Sequence, residues 1–345
     1  MPNITTKDNT MSTNKVCISL FTGLGGLDIG MELAGLQVPV AQEWNSTAVK
    51  SLRKNGRQVV EGDICKLVQQ DPACRFLLDM IPGEDVFAIF GGPPCQPFSY
   101  HGKGLGFDDE RAKTYKAFIA VIKAVRPRFF VMETVNGFVS KPGALELILK
   151  PFEGLYKTVY GVVNAADYGA PQIRKRLLVI GSRDGEPVAI PAPTHADHYK
   201  TFGEAIKGLK DDGLGAKFPP KTMRLIKHVP EGGNWRCLPP RLQHTALGNC
   251  SGGGLTGVCR RLSLSRPSPT VVCSPTQHTT LFAHPVENRP LTVREYARIQ
   301  GFPDSYQIEG SMADKYKQIG NAVPIALGEA VGKMLMRVGG SNGSR

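Results

Sequence analysis

Apolar runs and amphipathic stretches alternate through the first half of the chain. Val16 to Phe21 is a short apolar run that ends at a glycine-rich turn, and Leu27 to Ala34 after it reads as a helix. Val38 to Gln42 reads as a second strand with Glu43 at its carboxyl end, and Val86 to Phe90 as a third that runs into Gly91-Gly92-Pro93-Pro94-Cys95. Thr114 to Val125 carries Phe118, Ile119, Val121, Ile122 and Val125 as a helical stripe. Phe129 to Met132 is a further strand ending at Glu133, and Lys157 to Val163 and Arg176 to Ile180 read as two more. Strands alternating with helices predict an α/β fold, a mostly parallel sheet with helices on both faces. Ligands of such sheets sit beyond the carboxyl ends of the strands. Gly23, Glu43, Cys95 and Glu133 all fall at such ends, so one crevice can hold them together.

The texture changes near Asp184. Proline and glycine become frequent, periodicity fades, and Arg260, Arg261 and Arg266 cluster. A helical pattern returns only over Ile319 to Met336. These shifts predict a sheet domain over 15–185 plus 319–337, an irregular second domain over 186–303, a hinge over 304–318, and polar tails at 1–14 and 338–345.

Of the 345 residues, 41% are hydrophobic and 21% charged, enough apolar material for a sizeable core. A formal net charge of +12 favours a polyanionic partner, of which nucleic acid is the obvious one. No run of about 18 apolar residues is present, so no membrane span is expected, and the polar start lacks the apolar core of a signal peptide. A cytosolic protein is expected. None of the eight cysteines forms a C-x-x-C pair, and the irregular Cys and His residues between Cys237 and His284 favour reduced thiols over a zinc site.

Four segments carry chemistry. The turn Phe21-Thr22-Gly23-Leu24-Gly25-Gly26 lets backbone approach a ligand, and Glu43 lies where a carboxylate grips ribose hydroxyls. Asp28 stands where a dinucleotide fingerprint would have its third glycine, so the turn suits a nucleoside but not clearly NAD. In Gly91 to Ser99 (GGPPCQPFS), two glycines and two prolines fix the backbone before Cys95, as suits an exposed thiolate nucleophile. Glu133 is either an acid for a ring nitrogen or an ordinary carboxylate at a helix start. Alternation sets Gln172, Arg174 and Arg176 on one face, which either orients an anion or lies solvated on a basic edge strand.

In chain order these residues resemble the motif set of the DNA (cytosine-5) methyltransferases, above all the bacterial restriction-modification type. FTGLGG at 21–26, Glu43-Trp44, Gly62-Asp63-Ile64, GGPPCQPFS, Met132-Glu133-Thr134-Val135, NAADYGAPQIRKR at 164–176, RPLTVREYARIQGFP at 289–303 and Gly320-Asn321-Ala322-Val323 carry the resemblance over nearly the whole chain. It implies a Rossmann-like fold dependent on S-adenosyl-L-methionine, with the irregular domain recognising the target. It further implies that Cys95 attacks carbon 6 of a flipped-out cytosine, Glu133 binds N3 and the exocyclic amine, and Arg176, with Arg174 in the same motif, orients Glu133 and holds O2. Phe21, Gly23, Leu24, Gly25, Gly26, Glu43, Trp44, Asp63, Ile64, Pro93, Asn321, Ala322 and Val323 would surround the cofactor. Ser99, Lys103, Arg111, Gln172 and Thr270 would meet DNA. Double-stranded DNA would be the partner and the protein a monomer, with room for a cognate restriction endonuclease that acts on the same site without a stable complex. One departure is Thr134, which stands where the family has an Asn that supports the nucleophile loop by hydrogen bonding; Thr keeps a hydroxyl but is shorter. A transfer-RNA cytosine-5 methyltransferase of the same fold is the alternative. A non-catalytic DNA-binding regulator would need Cys95, Glu133 or Arg176 to be lost, and a NAD-linked enzyme is opposed by Asp28.

Overall fold

The computed structural model describes residues 15–94, 113–139, 143–210, 213–248 and 255–340. Cys95, Ser99, Lys103 and Arg111 lie outside the described residues. Nine strands are present among them: β1 (Val16–Leu20), β2 (Gln37–Glu43), β3 (Gln58–Glu61), β4 (Val86–Gly91), β5 (Phe129–Val135), β6 (Lys157–Asn164), β7 (Gln172–Ile173), β8 (Lys175–Ser182) and β9 (Ser268–Pro269). The helices are α1 (Gly26–Leu33), α2 (Ser46–Lys54), α3 (Ile64–Gln70), α4 (Arg75–Leu78), α5 (Lys113–Val125), α6 (Ala144–Leu149), α7 (Phe202–Ile206), α8 (Pro220–Ile226), α9 (Pro240–Leu247), α10 (Val293–Gln300), α11 (Met312–Asn321) and α12 (Ile325–Gly340).

Seven strands form one sheet in the order β3-β2-β1-β4-β5-β8-β6. The pairs from β3 to β5 are parallel, whereas β8 runs antiparallel to both neighbours. The inner strands β1, β4 and β5 and most of β8 are apolar and buried because both of their faces are covered. Ile18, Leu20, Ile89, Phe130, Met132, Leu177 and Val179 pack beneath α5 on one side. Their neighbours in sequence, Cys17, Phe90, Phe129, Val131, Leu178 and Ile180, pack against α1 and α12 on the other. This is the period-two alternation of a strand buried on both faces.

The chain leaves β1 toward β2 and β3 and later returns to pair β4 on its other side. That reversal makes the carboxyl end of β1 a topological switch point, where open α/β sheets bind ligands. Leu20 is in register with Gly91 on one side and Gln42 on the other, so the turn after β1, Glu43 and the Gly92-Pro93-Pro94 segment leave the sheet together.

The C-terminal helix returns to the first one. A Cβ on Gly30 would meet the Ile325 carbonyl oxygen at 2.5 Å, and one on Gly332 the Ala34 side chain at 2.6 Å. The expected helix over 319–336 is in fact two, because α11 ends at Asn321 and Pro324 precedes the start of α12. The expected tail from 338 is also corrected, as α12 continues to Gly340 with Val338 and Gly339 buried. Nor is 304–318 bare linker. α11 opens inside it with a Ser311–Asp314 capping box, and Asn55 is hydrogen-bonded on both sides to the Gln307 backbone.

Outside the sheet, a third apolar cluster joins Leu24, Phe202, Leu291, Tyr296, Phe302, Tyr316 and Ile325. A fourth gathers Phe218, Ile226, Leu238, Ala246, Val258 and Leu281, and belongs wholly to the irregular second half. Arg261 stands in for regular structure there, donating to the carbonyls of Val229, His284, Glu287 and Ile226 and to Asn288 Oδ1.

Candidate active site

A cavity of about 570 Å³ opens at the switch point. One wall is the turn after β1. Phe21 has φ 52°, a left-handed conformation strained for a bulky residue. Its backbone N–H donates to Gln42 Oε1, and the Gly23 N–H donates to Glu43 Oε2 at 2.7 Å. Glu43 Oε1 accepts from the N–H groups of Trp44 and Asn45 at 2.9 and 2.8 Å. Burial pushes the Glu43 carboxyl upward, and these donors oppose it. A carboxylate has about four lone-pair directions, so one remains to face the cavity. Trp44, on the same rim, is 66% exposed. A flat indole left in water beside a buried carboxylate forms a seat for a nucleoside.

Beneath the turn, Asp28 is fully buried, with Oδ1 accepting from the Ser19 hydroxyl at 2.7 Å. Its Oδ2 has no hydrogen bond and lies 3.9 Å from the Arg57 guanidinium. Desolvation lifts its carboxyl to about 6. Position 28 thus holds a polar floor for the cavity, a role not evident from its departure from a glycine pattern.

The opposite wall comes from β4, β5 and β8. Arg176 Nε lies 2.8 Å from Glu133 Oε1, and both side chains are about nine-tenths buried. β5 and β8 pair Val135 with Arg176, which brings the guanidinium beside the carboxylate. Gly92 passes so close that a Cβ there would lie 2.9 Å from Glu133 Oε2. Pro93 and Pro94 continue along the cavity, and Cys95 is the next residue in the chain. Thr270, Cys273, Asn321, Ala322 and Val323 close it from the far side.

Several expected residues do other work. Arg174, like Arg176, lines the cavity. Its guanidinium donates to the carbonyls of Val271 and Gly320 at 2.9 and 3.0 Å, tying the segment after β9 to the end of α11. Gln172 is fully buried and out of reach of DNA. It donates to Gln300 Oε1 and accepts from the Val271 N–H, while Gln300 donates to the Ile319 and Ala322 carbonyls. Gln172 and Arg174 alternate as expected, their side chains both bonding the Val271 backbone, although Gln172-Ile173 pairs with β9 and Lys175 begins β8. The Thr270 hydroxyl donates to the Ile173 carbonyl.

Asp63 and Ile64 do not line the cavity; Asp63 caps α3 through the Cys65 N–H and Ile64 packs in the core. Leu24 is also core, with its carbonyl accepting from the Tyr306 hydroxyl. Gly26 serves helix packing, since a Cβ would fall 2.2 Å from the Val323 carbonyl oxygen, and a Cβ on Gly25 would press on Leu52 and Tyr306 at 3.2 Å. Cys273 escaped sequence reasoning. Its thiol donates to Asn321 Oδ1 at 3.2 Å, and only its distance of three residues from Thr270 hinted at the cavity.

Among the described residues, no helix is long and apolar enough to cross a membrane, and no group of three or more metal-ligating side chains is present.

A family profile for C-5 cytosine-specific DNA methylase matches residues 16–337. The chain is similar to the Type II methyltransferase M.Eco47II of Escherichia coli, at 39% identity over 350 residues, 96% of this chain and 81% of that protein. It is similar to the Type II methyltransferase M.Sau96I of Staphylococcus aureus at 35% identity, over 92% of this chain and 74% of that protein. Among solved structures, a DNA modification methyltransferase encoded within an E. coli prophage superposes with a TM-score of 0.68 at 25% identity, over 94% of this chain and 99% of that one. A Spodoptera frugiperda DNMT2 variant shares the fold, with a TM-score of 0.65 at 17% identity, over 93% and 99% of the two chains. The sheet order, the carboxylate–guanidinium pair at its switch point and a profile match across almost the whole sequence agree, and the chain belongs to the C-5 cytosine-specific DNA methylases.

Proposed function

We propose that the protein methylates carbon 5 of a cytosine flipped out of a short specific duplex DNA sequence, as the modification half of a restriction-modification system. The observation that carries this is the convergence of two walls on one cavity: Glu133 and Arg176 beside the Pro93-Pro94 segment that leads to Cys95, and Glu43 with Trp44 and Gly23 opposite. The second wall fits S-adenosylmethionine. Glu43 would accept from a ribose hydroxyl on its remaining lone pair, Trp44 would stack on the adenine, and Phe21, Gly23 and the Asn321-Ala322-Val323 turn would enclose the amino-acid end. Bound there, the cofactor supplies an electrophilic methyl group.

The residues of the chain supply the rest. Carbon 5 of cytosine is a weak nucleophile. Addition of the Cys95 thiolate to carbon 6 raises electron density at carbon 5, which takes up the methyl group. Glu133 hydrogen-bonds N3 and the exocyclic amine and stabilises the charge that develops in the ring. Arg176 keeps the Glu133 carboxylate turned toward the base and meets O2. Loss of the carbon 5 proton then returns the bonding electrons to the ring and expels Cys95. Arg174 and Gln172 brace the cavity through the backbones of Val271 and Gly320 and through Gln300. A paired base cannot be reached by a thiol, so the cytosine must leave the stack, and the basic irregular half of the chain holds the duplex.

The test is covalent trapping. DNA synthesised with 5-fluorocytosine in place of cytosine cannot lose the position-5 substituent as a proton. Enzyme, S-adenosylmethionine and this DNA should give an adduct that survives denaturing electrophoresis, and Cys95→Ser should give none. Methyl transfer to ordinary DNA at a normal rate without any adduct on the fluorinated DNA would refute the thiol mechanism.

A further inference from the structure

Proline lacks a backbone N–H, so Pro93 and Pro94 offer neighbouring structure only their carbonyl oxygens as handles. One handle is taken. The Tyr115 hydroxyl, on the first turn of α5, donates to the Pro93 carbonyl at 3.5 Å and lies 2.8 Å from the Thr134 hydroxyl. Tyr115 is fully buried and Thr134 is 2% exposed, so water does not compete for these bonds. Each hydroxyl has one proton, so when Tyr115 donates to Pro93 it accepts from Thr134. In that arrangement the relay runs from Thr134 through Tyr115 to Pro93. Thr134 follows Glu133 on β5, while Pro93 stands two residues before Cys95. The first turn of α5 thus bridges the strand that carries the acid and the segment that carries the nucleophile.

We propose that Tyr115 is a positioning residue: its hydroxyl, oriented by Thr134, sets the spacing between the Pro93-Pro94 backbone and Glu133. This rests on the reading of Cys95 as nucleophile. Tyr115 touches no reacting atom and acts only through the geometry of the segment. Gly92 shows how narrow that spacing is, since even a methyl group there would press on Glu133.

Tyr115→Phe and Thr134→Val each remove one hydroxyl and keep the shape. The measurements are single-turnover methyl transfer to unmethylated genomic DNA, the Kd for S-adenosylmethionine, and the thermal midpoint. Each single variant should transfer methyl about tenfold more slowly, as small misplacements of reacting groups do, with a cofactor Kd within twofold of wild type. The double variant should be no slower than the slower single one, because either substitution already breaks the relay. A rate for Tyr115→Phe within twofold of wild type would overturn the proposal. So would losses that multiply in the double variant, or losses that disappear once rates are corrected for the unfolded fraction. Wild-type trapping on 5-fluorocytosine DNA, run beside these variants, separates the two readings. An adduct with a fast Tyr115→Phe enzyme removes the relay and leaves the mechanism, whereas no wild-type adduct removes both.

Discussion

Glu43→Gln separates ligand binding from stability more sharply than any other single change in this site. The buried carboxylate accepts three backbone N–H bonds, from Gly23 at 2.7 Å and from Trp44 and Asn45 at 2.9 and 2.8 Å. An amide can keep its oxygen on Trp44 and Asn45, but its NH2 must then face the Gly23 N–H, donor against donor. Losing one hydrogen bond to a charged group costs about 1.5–3 kcal/mol. The change also removes a charge that burial disfavours, as the upward push on the Glu43 carboxyl shows. The two effects oppose each other in the unliganded protein, so the thermal midpoint should move little. They do not oppose each other for the ligand, which loses both a charged acceptor and a fixed glycine turn. At about 1.4 kcal/mol per factor of ten, the expected weakening is roughly 10–100-fold. Calorimetric titration with S-adenosylhomocysteine, beside thermal unfolding, measures both. Because the Glu43 carboxyl is raised, wild-type affinity should begin to fall at a higher pH on acidification than an ordinary glutamate would dictate, and the Gln variant should lack that dependence. Binding by Glu43→Gln within twofold of wild type would refute the assignment of this carboxylate to the ligand.

Arg174→Met keeps the buried stem but leaves the Val271 and Gly320 carbonyls without their donors. Urea unfolding should show a loss of about 2–6 kcal/mol, from roughly 1–3 per orphaned group, and wild-type stability would contradict the structural role. Gly92→Ala should lower methyl transfer tenfold or more, since Glu133 must swing off Arg176 to admit the methyl group; an unimpaired Ala variant of native circular dichroism would count against the close approach. Asp28 has its folded pKa raised from 3.8 to about 6, so its favourable neutral form is fully present below about pH 4 and is lost as pH rises through 6. Relative to Asp28→Asn, wild type should therefore lose roughly 3 kcal/mol of stability between pH 4 and pH 7, at about 1.36 kcal/mol for each tenfold difference in proton affinity between the folded and unfolded chain. Parallel denaturation curves at the two pH values would refute this.

Much of this protein could be read from local pattern. The apolar runs at 16–21, 38–42, 86–90 and 129–132 all became strands, because a stretch that is apolar on both faces can only be covered by helices on both sides. Their carboxyl ends marked the cavity, since backbone direction in a parallel sheet sends every following turn to the same edge. Glu43, Glu133 and the Pro93-Pro94 segment line one cavity for that reason. Residue type and spacing are local properties, and these assignments needed nothing else. What the tertiary structure decided is which partner each side chain of a motif takes. Arg174 and Arg176 are two residues apart and chemically identical, yet one is held by distant carbonyls at 271 and 320 and the other meets Glu133. Gln172 looked like a surface contact and is instead buried against Gln300. Gly26, read as room for a ligand, is room for the Val323 carbonyl almost three hundred residues away. The Tyr115 hydroxyl had no visible purpose until α5 was laid beside Pro93 and Thr134. In each case the deciding partner is remote in sequence, and a buried donor or acceptor is assigned only when the fold brings that partner within hydrogen-bonding distance.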